Sequence, residues 1–297
     1  MMVAMRDITF AKGHGTRNDF VVFTDQAGML DLDPVEVRFL CDRRGGVGAD
    51  GLLRAVRGKH IPEWDGDPDL WFMDYRNADG SVAEMCGNGV RVFVRYLYES
   101  GLANDREMTI GTRAGERHAM LLPDERVRVE MGPVRLYDGV LAPTVPITVA
   151  DAGGGPRTWQ AQPVDVGNPH AVSFTDGDIG TLDLTRQPTW PVGEFPLGVN
   201  AEFVRILDEG HVGMRVYERG VGETESCGTG TVAVAAASAA RLGLAIGAEE
   251  RRIRVDVPGG VVVVGLSRAG TDAPVLATLT GPAELVYRGS IVIPDLG

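Results

Sequence analysis

The sequence predicts an α/β (α+β) protein of two pseudo-symmetric lobes, each a curved, mostly antiparallel sheet wrapped around a central helix. Three observations predict it. First, a motif of the form x-Cys-Gly-x-Gly occurs twice, as Met85-Cys86-Gly87-Asn88-Gly89 and as Ser226-Cys227-Gly228-Thr229-Gly230. Second, each copy opens a helical run that closes on Gly-Leu and is followed by strand-like segments ending on Gly-Pro, at 132–133 and 281–282. Third, Asn18-Asp19-Phe20-Val21-Val22-Phe23 upstream of the first copy is echoed by Asn168-Pro169-His170-Ala171-Val172-Ser173-Phe174 upstream of the second. Matches recurring in the same order argue for a duplicated domain, and the period is far too long for a solenoid. Two lobes facing each other are expected, with the boundary after residue 133 and the second lobe over 134–283.

Each element has a local reason. Asp33 is an N-cap followed by Pro34 at the first helical position, which predicts a helix over 34–42. Gly46-Val47-Gly48-Ala49-Asp50-Gly51 matches the dinucleotide pattern G-x-G-x-x-G, but that pattern needs a strand before it and a helix after it. Here the order is reversed, so a turn is expected. The polar stretch 57–69 holds two prolines and reads as a surface loop, and 152–156 as a glycine-rich turn. After Cys86, Val90, Phe93, Val94 and Leu97 form one helix face while Arg91, Arg95 and Glu99 line another. After Cys227 the run 232–240 is small and apolar all round, the mark of a buried helix.

The bulk numbers exclude whole classes of function. The 297 residues suit two domains, and 44% hydrophobic with 24% charged residues is an ordinary globular balance. A net charge of −12 argues against a nucleic-acid or anionic-membrane partner. The amino terminus lacks the apolar core of a signal peptide, and no apolar run is long enough to span a bilayer. Three cysteines form no disulfide framework, so a reducing, cytoplasmic setting is expected. Five histidines without ligand spacing, and no C-x-x-C, give no metal site.

The duplicated cysteines carry the chemistry. A lone cysteine is more often a small buried hydrophobe than a catalyst, and Cys41, in an apolar helical stretch without a glycine frame, keeps that reading. At a helix N-terminus, unpaired N–H groups and the helix dipole favour a thiolate and can hold a substrate carboxylate. Two facing lobes would set Cys86 and Cys227 on opposite faces of a bound α-carbon. One thiolate would then remove a proton while the other thiol delivers one, which inverts the centre. His170 lies near the first strand of the second lobe. Glu218 and Arg219 fall in the register of Arg76 and Asn77.

With these residues assembled, the chain resembles diaminopimelate epimerase over nearly its whole length. The resemblance is carried by the segments 13–20, 74–81, 85–89, 166–170, 198–200, 217–224 and 226–230, in the family's order and approximate spacing. It implies interconversion of LL- and meso-diaminopimelate, a small-molecule substrate, without pyridoxal phosphate, other cofactor or metal. It implies that Cys86 and Cys227 are the acid–base pair and that Gly87, Asn88, Gly228 and Thr229 hold the reacting carboxylate. Asn18, Asn77, Asn168, Asn200, Glu218 and Arg219 would line the substrate site, with Arg219 on the distal carboxylate, and His170 and Glu218 would tune the thiols or orient the amine. It also implies a homodimer, and a last segment, 284–297, that returns to the first lobe. Many members carry Gln where this chain has Gly51, so that contact is absent here.

Three rivals compete. A proline racemase or hydroxyproline epimerase would often carry His where this chain has Asn88, and would need no recognition of a distal charged arm. A non-catalytic amino-acid-binding protein would not need cysteine at both helix mouths. A thiol redox sensor would use a reversible Cys86–Cys227 disulfide as its switch.

Overall fold

The capping signals at residue 33 act as expected. In the computed structural model, which describes residues 6–136, 144–151, 155–294 and 296, the Asp33 carboxylate accepts from the N–H groups of Val35 and Glu36 at 2.8 and 2.9 Å, and Glu36 returns a bond to the Asp33 N–H at 2.9 Å. This capping box fixes helix α1, Pro34–Cys41. The elements of the first half are β1 (Arg6–Gly15), β2 (Asn18–Asp25), α1, β3 (Gly51–Arg57), β4 (Trp71–Asn77), α2 (Gly87–Glu99), β5 (Glu107–Ile110), β6 (Arg117–Leu121) and β7 (Val127–Leu136). Those of the second half are β8 (Val145–Asp151), β9 (Arg157–Asp165), β10 (Pro169–Phe174), β11 (Leu182–Asp183), β12 (Asn200–Asp208), β13 (His211–Glu218), β14 (Gly222–Thr224), α3 (Gly228–Arg241), β15 (Arg251–Val257), β16 (Gly260–Ser267), β17 (Val275–Gly281) and β18 (Glu284–Ile293). Most of the expected turn at 152–156 lies outside the described residues. No helix among the described residues is long and apolar enough to cross a membrane.

The chain divides into two compact units, Met1–Val129 with Pro282–Gly297, and Glu130–Gly281. The first is built on a five-stranded sheet of order β18-β1-β2-β3-β4. All its pairs are antiparallel except β2–β3, which α1 connects. Residues 20–23 of β2 are buried on both faces because each face has a cover. Val21 and Phe23 pack toward α1 with Ile8, Val37, Leu40 and Leu52. The other face carries α2, which packs on β1, β2, β3, β4 and β18. Stretch 57–69 is only partly a surface loop: Ile61 is buried, and Trp64 meets Phe72 edge-on at 5.3 Å.

The second unit repeats the plan. β9–β10 is antiparallel, β10–β12 parallel and β12–β13 antiparallel, and helix α3 packs on β9, β10, β12 and β13 as well as on β15, β16 and β17. Ala171, Ala201 and Phe203 face a core completed by Ile147, Ala161 and Leu184, so the intervening His170 and Glu202 fall on the α3 side. Both central helices stop at glycines in the left-handed region, Gly101 at φ 68° and Gly243 at φ 64°.

The ladders give the internal alignment residue by residue. Phe20 pairs Gly51, and Gly51 pairs Asn77. In the second unit His170 pairs Asn200, and one step beyond the Ala201–Tyr217 pair Asn200 meets Glu218. Phe20, Gly51 and Asn77 therefore correspond to His170, Asn200 and Glu218. This corrects the sequence register by one residue, since Glu218 answers to Asn77 rather than to Arg76. A pleated ladder fixes partners that a gapped comparison of short motifs leaves loose.

Candidate active site

Both cysteines are the N-cap residues of the central helices, with extended backbones, Cys86 at φ −140° and Cys227 at φ −117°. The chain leaves a strand edge, turns at the cysteine and enters the helix through a glycine. The N–H groups of that first turn have no partners within the helix. At Cys227 the Gly230 N–H points at Sγ from 3.3 Å and the Thr229 hydroxyl lies 3.6 Å away.

In the first unit, Cys86 Sγ donates to Asn18 Oδ1 at 3.6 Å, and Asn88 Nδ2 donates to the same oxygen at 3.2 Å. The other end of the Asn18 amide donates to Asp50 Oδ2 at 3.0 Å, which fixes which way the amide points. Asp50 is bonded in turn by Arg43 at 2.8 Å, and Arg43 also grips Asp19 through two bonds of 2.9 Å. Burial works to raise the Asp19 carboxyl, but Arg43 and Lys12, the latter 2.7 Å away, outweigh it and hold it well below the usual range. Burial raises Asp50, although the Asn18 bond opposes the shift. Asn77, at the end of β4, bonds Ser81 Oγ at 3.0 Å. A Cβ on Gly51 would lie 2.8 Å from both the Arg76 carbonyl and the Tyr75 ring, so Tyr75 fills the space beside this glycine.

In the second unit, Asn168 Nδ2 reaches Thr229 Oγ1 at 3.5 Å, and Asn168 Oδ1 lies 3.0 Å from His170 Nε2. His170 Nδ1 meets Glu202 Oε1 at 2.6 Å, with both side chains fully buried. The second Glu202 oxygen has no hydrogen-bond partner among the described residues. Burial raises the Glu202 carboxyl despite His170. Burial also pushes the Cys227 thiol well up, helped by the Glu218 and Glu202 carboxylates and opposed by the Thr229 and Gly230 bonds. Glu218 accepts from the Thr224 hydroxyl. Asn200 Oδ1 accepts from the Arg219 N–H at 2.9 Å, and the Arg219 guanidinium donates to the Leu197 carbonyl at 3.2 Å.

The structure thus groups Asn18, Cys86, Gly87 and Asn88 around one helix start, and Asn168, His170, Cys227, Gly228 and Thr229 around the other. Asn200, Glu218 and Arg219 meet at the β12–β13 edge. Cys41 is buried in the α1 core, and burial pushes its thiol up to about 12. Three residues escaped the sequence reading. Glu202 had a signal, as an acidic residue between apolar neighbours in a strand read as Asn-Ala-Glu-Phe-Val. Asp50 was hidden inside the G-x-G-x-x-G decoy. Arg91 was placed on the polar helix face, but its side chain is fully buried.

A central buried helix in each of two duplicated units defines a fold class shared with PhzF and proline racemase structures. A Bacillus anthracis phenazine biosynthesis protein of the PhzF family superposes with TM-score 0.70 at 14% identity, covering 97% of this chain and 100% of that one. A probable proline racemase from Agrobacterium radiobacter superposes with TM-score 0.65 at 17% identity, covering 97% of this chain and 94% of that one. Within this class, the chain belongs to the diaminopimelate epimerase family, whose model matches residues 10–137 and 163–286. A Thermobifida fusca relative named diaminopimelate epimerase is 47% identical over 293 residues, 97% of this chain and 99% of that protein. The protein is therefore an epimerase, and so an isomerase, acting on a small molecule.

Proposed function

We propose that this chain interconverts LL- and meso-diaminopimelate, on the route to lysine and peptidoglycan, by proton transfer between two thiols and the α-carbon. The observation that carries the reading is the cysteine N-cap present in both units. The Sγ of one thiolate takes the α-proton, and the electron pair left behind spreads into the α-carboxylate. The helix N–H groups at Gly87, Asn88, Gly228 and Thr229 hold that carboxylate where its charge grows. The other thiol gives its S–H proton to the opposite face of the carbon, and the two sulfurs end with exchanged charge states. Thiols suit the task because their pKa lies near the operating pH.

Asn18, Asn77, Asn168 and Asn200 bind the substrate's polar groups, and Arg219 pairs the distal carboxylate. His170 and Glu218 orient the amine and tune Cys227. The same reading makes the protein a cytoplasmic homodimer, which sedimentation of the purified protein tests. The chemistry is tested by incubating reduced protein with LL-diaminopimelate in D2O, without added cofactor, and following the α-proton by NMR. Loss of that signal with growth of the meso isomer is expected. Cys86→Ala and Cys227→Ala are each expected to slow epimerisation by roughly a thousandfold or more. A folded, reduced sample that exchanges proline and leaves diaminopimelate untouched overturns the substrate.

A further inference from the structure

We propose that Asp50 is a positioning residue for Cys86: it turns the Asn18 amide so that the amide oxygen faces the sulfur, and so holds Cys86 as the S–H thiol in the free protein. This rests on reading the two cysteines as the acid–base pair, and it assigns the state in which Cys86 waits.

A side-chain amide has a donor at one end and an acceptor at the other, and the end that faces a thiol selects the thiol's protonation state. Asn18 Nδ2 donates to Asp50 Oδ2 at 3.0 Å. The same carboxylate oxygen accepts from the Asp19 N–H at 3.1 Å, and Oδ1 accepts from Arg43 at 2.8 Å. Ringed by donors, the Asp50 carboxylate acts only as an acceptor, so it takes the nitrogen end of Asn18 and leaves the oxygen facing the start of α2. That oxygen accepts from Cys86 Sγ at 3.6 Å and from Asn88 Nδ2 at 3.2 Å. A thiolate in the same place would set a negative sulfur against a carbonyl oxygen and lose the bond, so the contact favours the neutral form.

The duplication supplies an internal control. Since Phe20 and Gly51 correspond to His170 and Asn200, Asn18 corresponds to Asn168 and Asp50 to Val199, which is buried. The acceptor is gone from the second unit, and a ring nitrogen stands where the first unit has Phe20. His170 Nε2 lies 3.0 Å from Asn168 Oδ1, and Asn168 Nδ2 points to Thr229 Oγ1 at 3.5 Å. The equivalent amide is thus turned the other way, nitrogen toward the helix start. The sulfur there is met by a donor, the Gly230 N–H at 3.3 Å. Equivalent asparagines face the two helix starts with opposite polarity, and the residues behind them set it.

The other charged groups around Cys86 are engaged elsewhere. Arg91, fully buried on α2, donates to the Gly87 carbonyl at 3.4 Å, to Thr16 Oγ1 at 3.1 Å and to the Pro282 carbonyl at 3.2 Å. Its charge and the helix dipole work toward the thiolate, and the fixed amide oxygen opposes them. Lys12 pairs Asp19, Arg54 pairs Asp25 and shares Asp74 with Arg76, and His14 lies 3.9 Å from Glu284. Arg95 pairs Glu99, His118 bonds Thr109, Arg117 bonds the Glu116 carbonyl and Arg288 bonds Ser100. Arg17 and Glu84 are exposed.

The test is iodoacetamide alkylation of the reduced, full-length protein across pH, with Cys86 followed by peptide mass spectrometry. It reads the thiol whether or not substrate turns over, so its failure is separable from failure of the epimerase assay. A free cysteine titrates at about 8.5, and wild-type Cys86 is expected to titrate above about pH 8 in spite of its helix start. Asp50→Ala lets the amide turn its nitrogen to the sulfur. The Cys86 midpoint is then expected to fall by about one unit, to below about pH 8, with roughly tenfold more thiolate at pH 7. Loosening of the loop alone would instead bring the thiol to the free value. In an Asn18→Ala background the same Asp50→Ala change is expected to leave the midpoint where it was, because the residue through which Asp50 acts is gone. The proposal is overturned if Asp50→Ala moves the midpoint equally with and without Asn18, which would make Asp50 a charge acting directly on the sulfur, or if folded Asp50→Ala keeps the wild-type profile. It is equally overturned if wild-type Cys86 titrates below about pH 8, a result that needs no variant.

Discussion

The two helix starts share a backbone and differ in what lies under them. In the first unit Phe20 and Leu53 rise from the strands and the charge, Arg91, sits on the helix. In the second the strands present His170 and Glu202, and the helix presents Val232. Duplication has kept the N-cap cysteine, the glycine that follows it and the strand order, and has changed the electrostatics. The lesson is that the scaffold fixes where a thiol sits, while the side chains beneath each helix start give it different surroundings.

The comparison can be broken at its most heavily buried point. Glu202→Leu copies the residue of the first unit into the second and leaves His170 buried without its carboxylate. We expect it to cost about 1–3 kcal/mol of stability, read by urea denaturation. Adding His170→Phe completes the copy, and the double variant is expected to recover most of that loss, since replacing both partners of a buried hydrogen bond by apolar groups can be nearly neutral. Epimerisation by the double variant is expected to stay about a hundredfold down. If single and double variants are equally unstable, His170 and Glu202 are not acting as a pair.

A smaller effect sharpens the first unit. Asp50→Ala frees the amide of Asn18 to turn, and kcat/KM is expected to fall about tenfold, equivalent to about 1.4 kcal/mol, with little change in melting temperature. An unchanged kcat/KM would show that Asn18 needs no orienting carboxylate. The smallest effect belongs to a region outside both clusters. Asp33→Ala removes the α1 capping box and is expected to cost about 1 kcal/mol without changing turnover.

Much of this was legible in the sequence because the signals were local. Asp33-Pro34, the glycines at 101 and 243 and the apolar run after Cys227 each dictate their own conformation, so the helices and their ends could be read directly. The duplicated x-Cys-Gly-x-Gly then placed both thiols. Contacts set by strand pairing were not legible. Nothing adjacent to Glu202 in sequence says that it meets His170 across a parallel ladder. Arg91 misled for a related reason: helical periodicity assigns an arginine to the solvent side, and only the strand turn folded over it, at Gly15 and Thr16, closes that side.

The sheet order β18-β1-β2-β3-β4 also has a meaning for synthesis. On the ribosome the unit that is begun first is finished last. The second unit is one uninterrupted stretch, complete once β17 has emerged. β1 must wait for β18, and until then it offers an open hydrogen-bonding edge to any passing strand. Nascent chains halted before residue 284 should therefore hold a folded second unit beside a first unit that a protease still cuts.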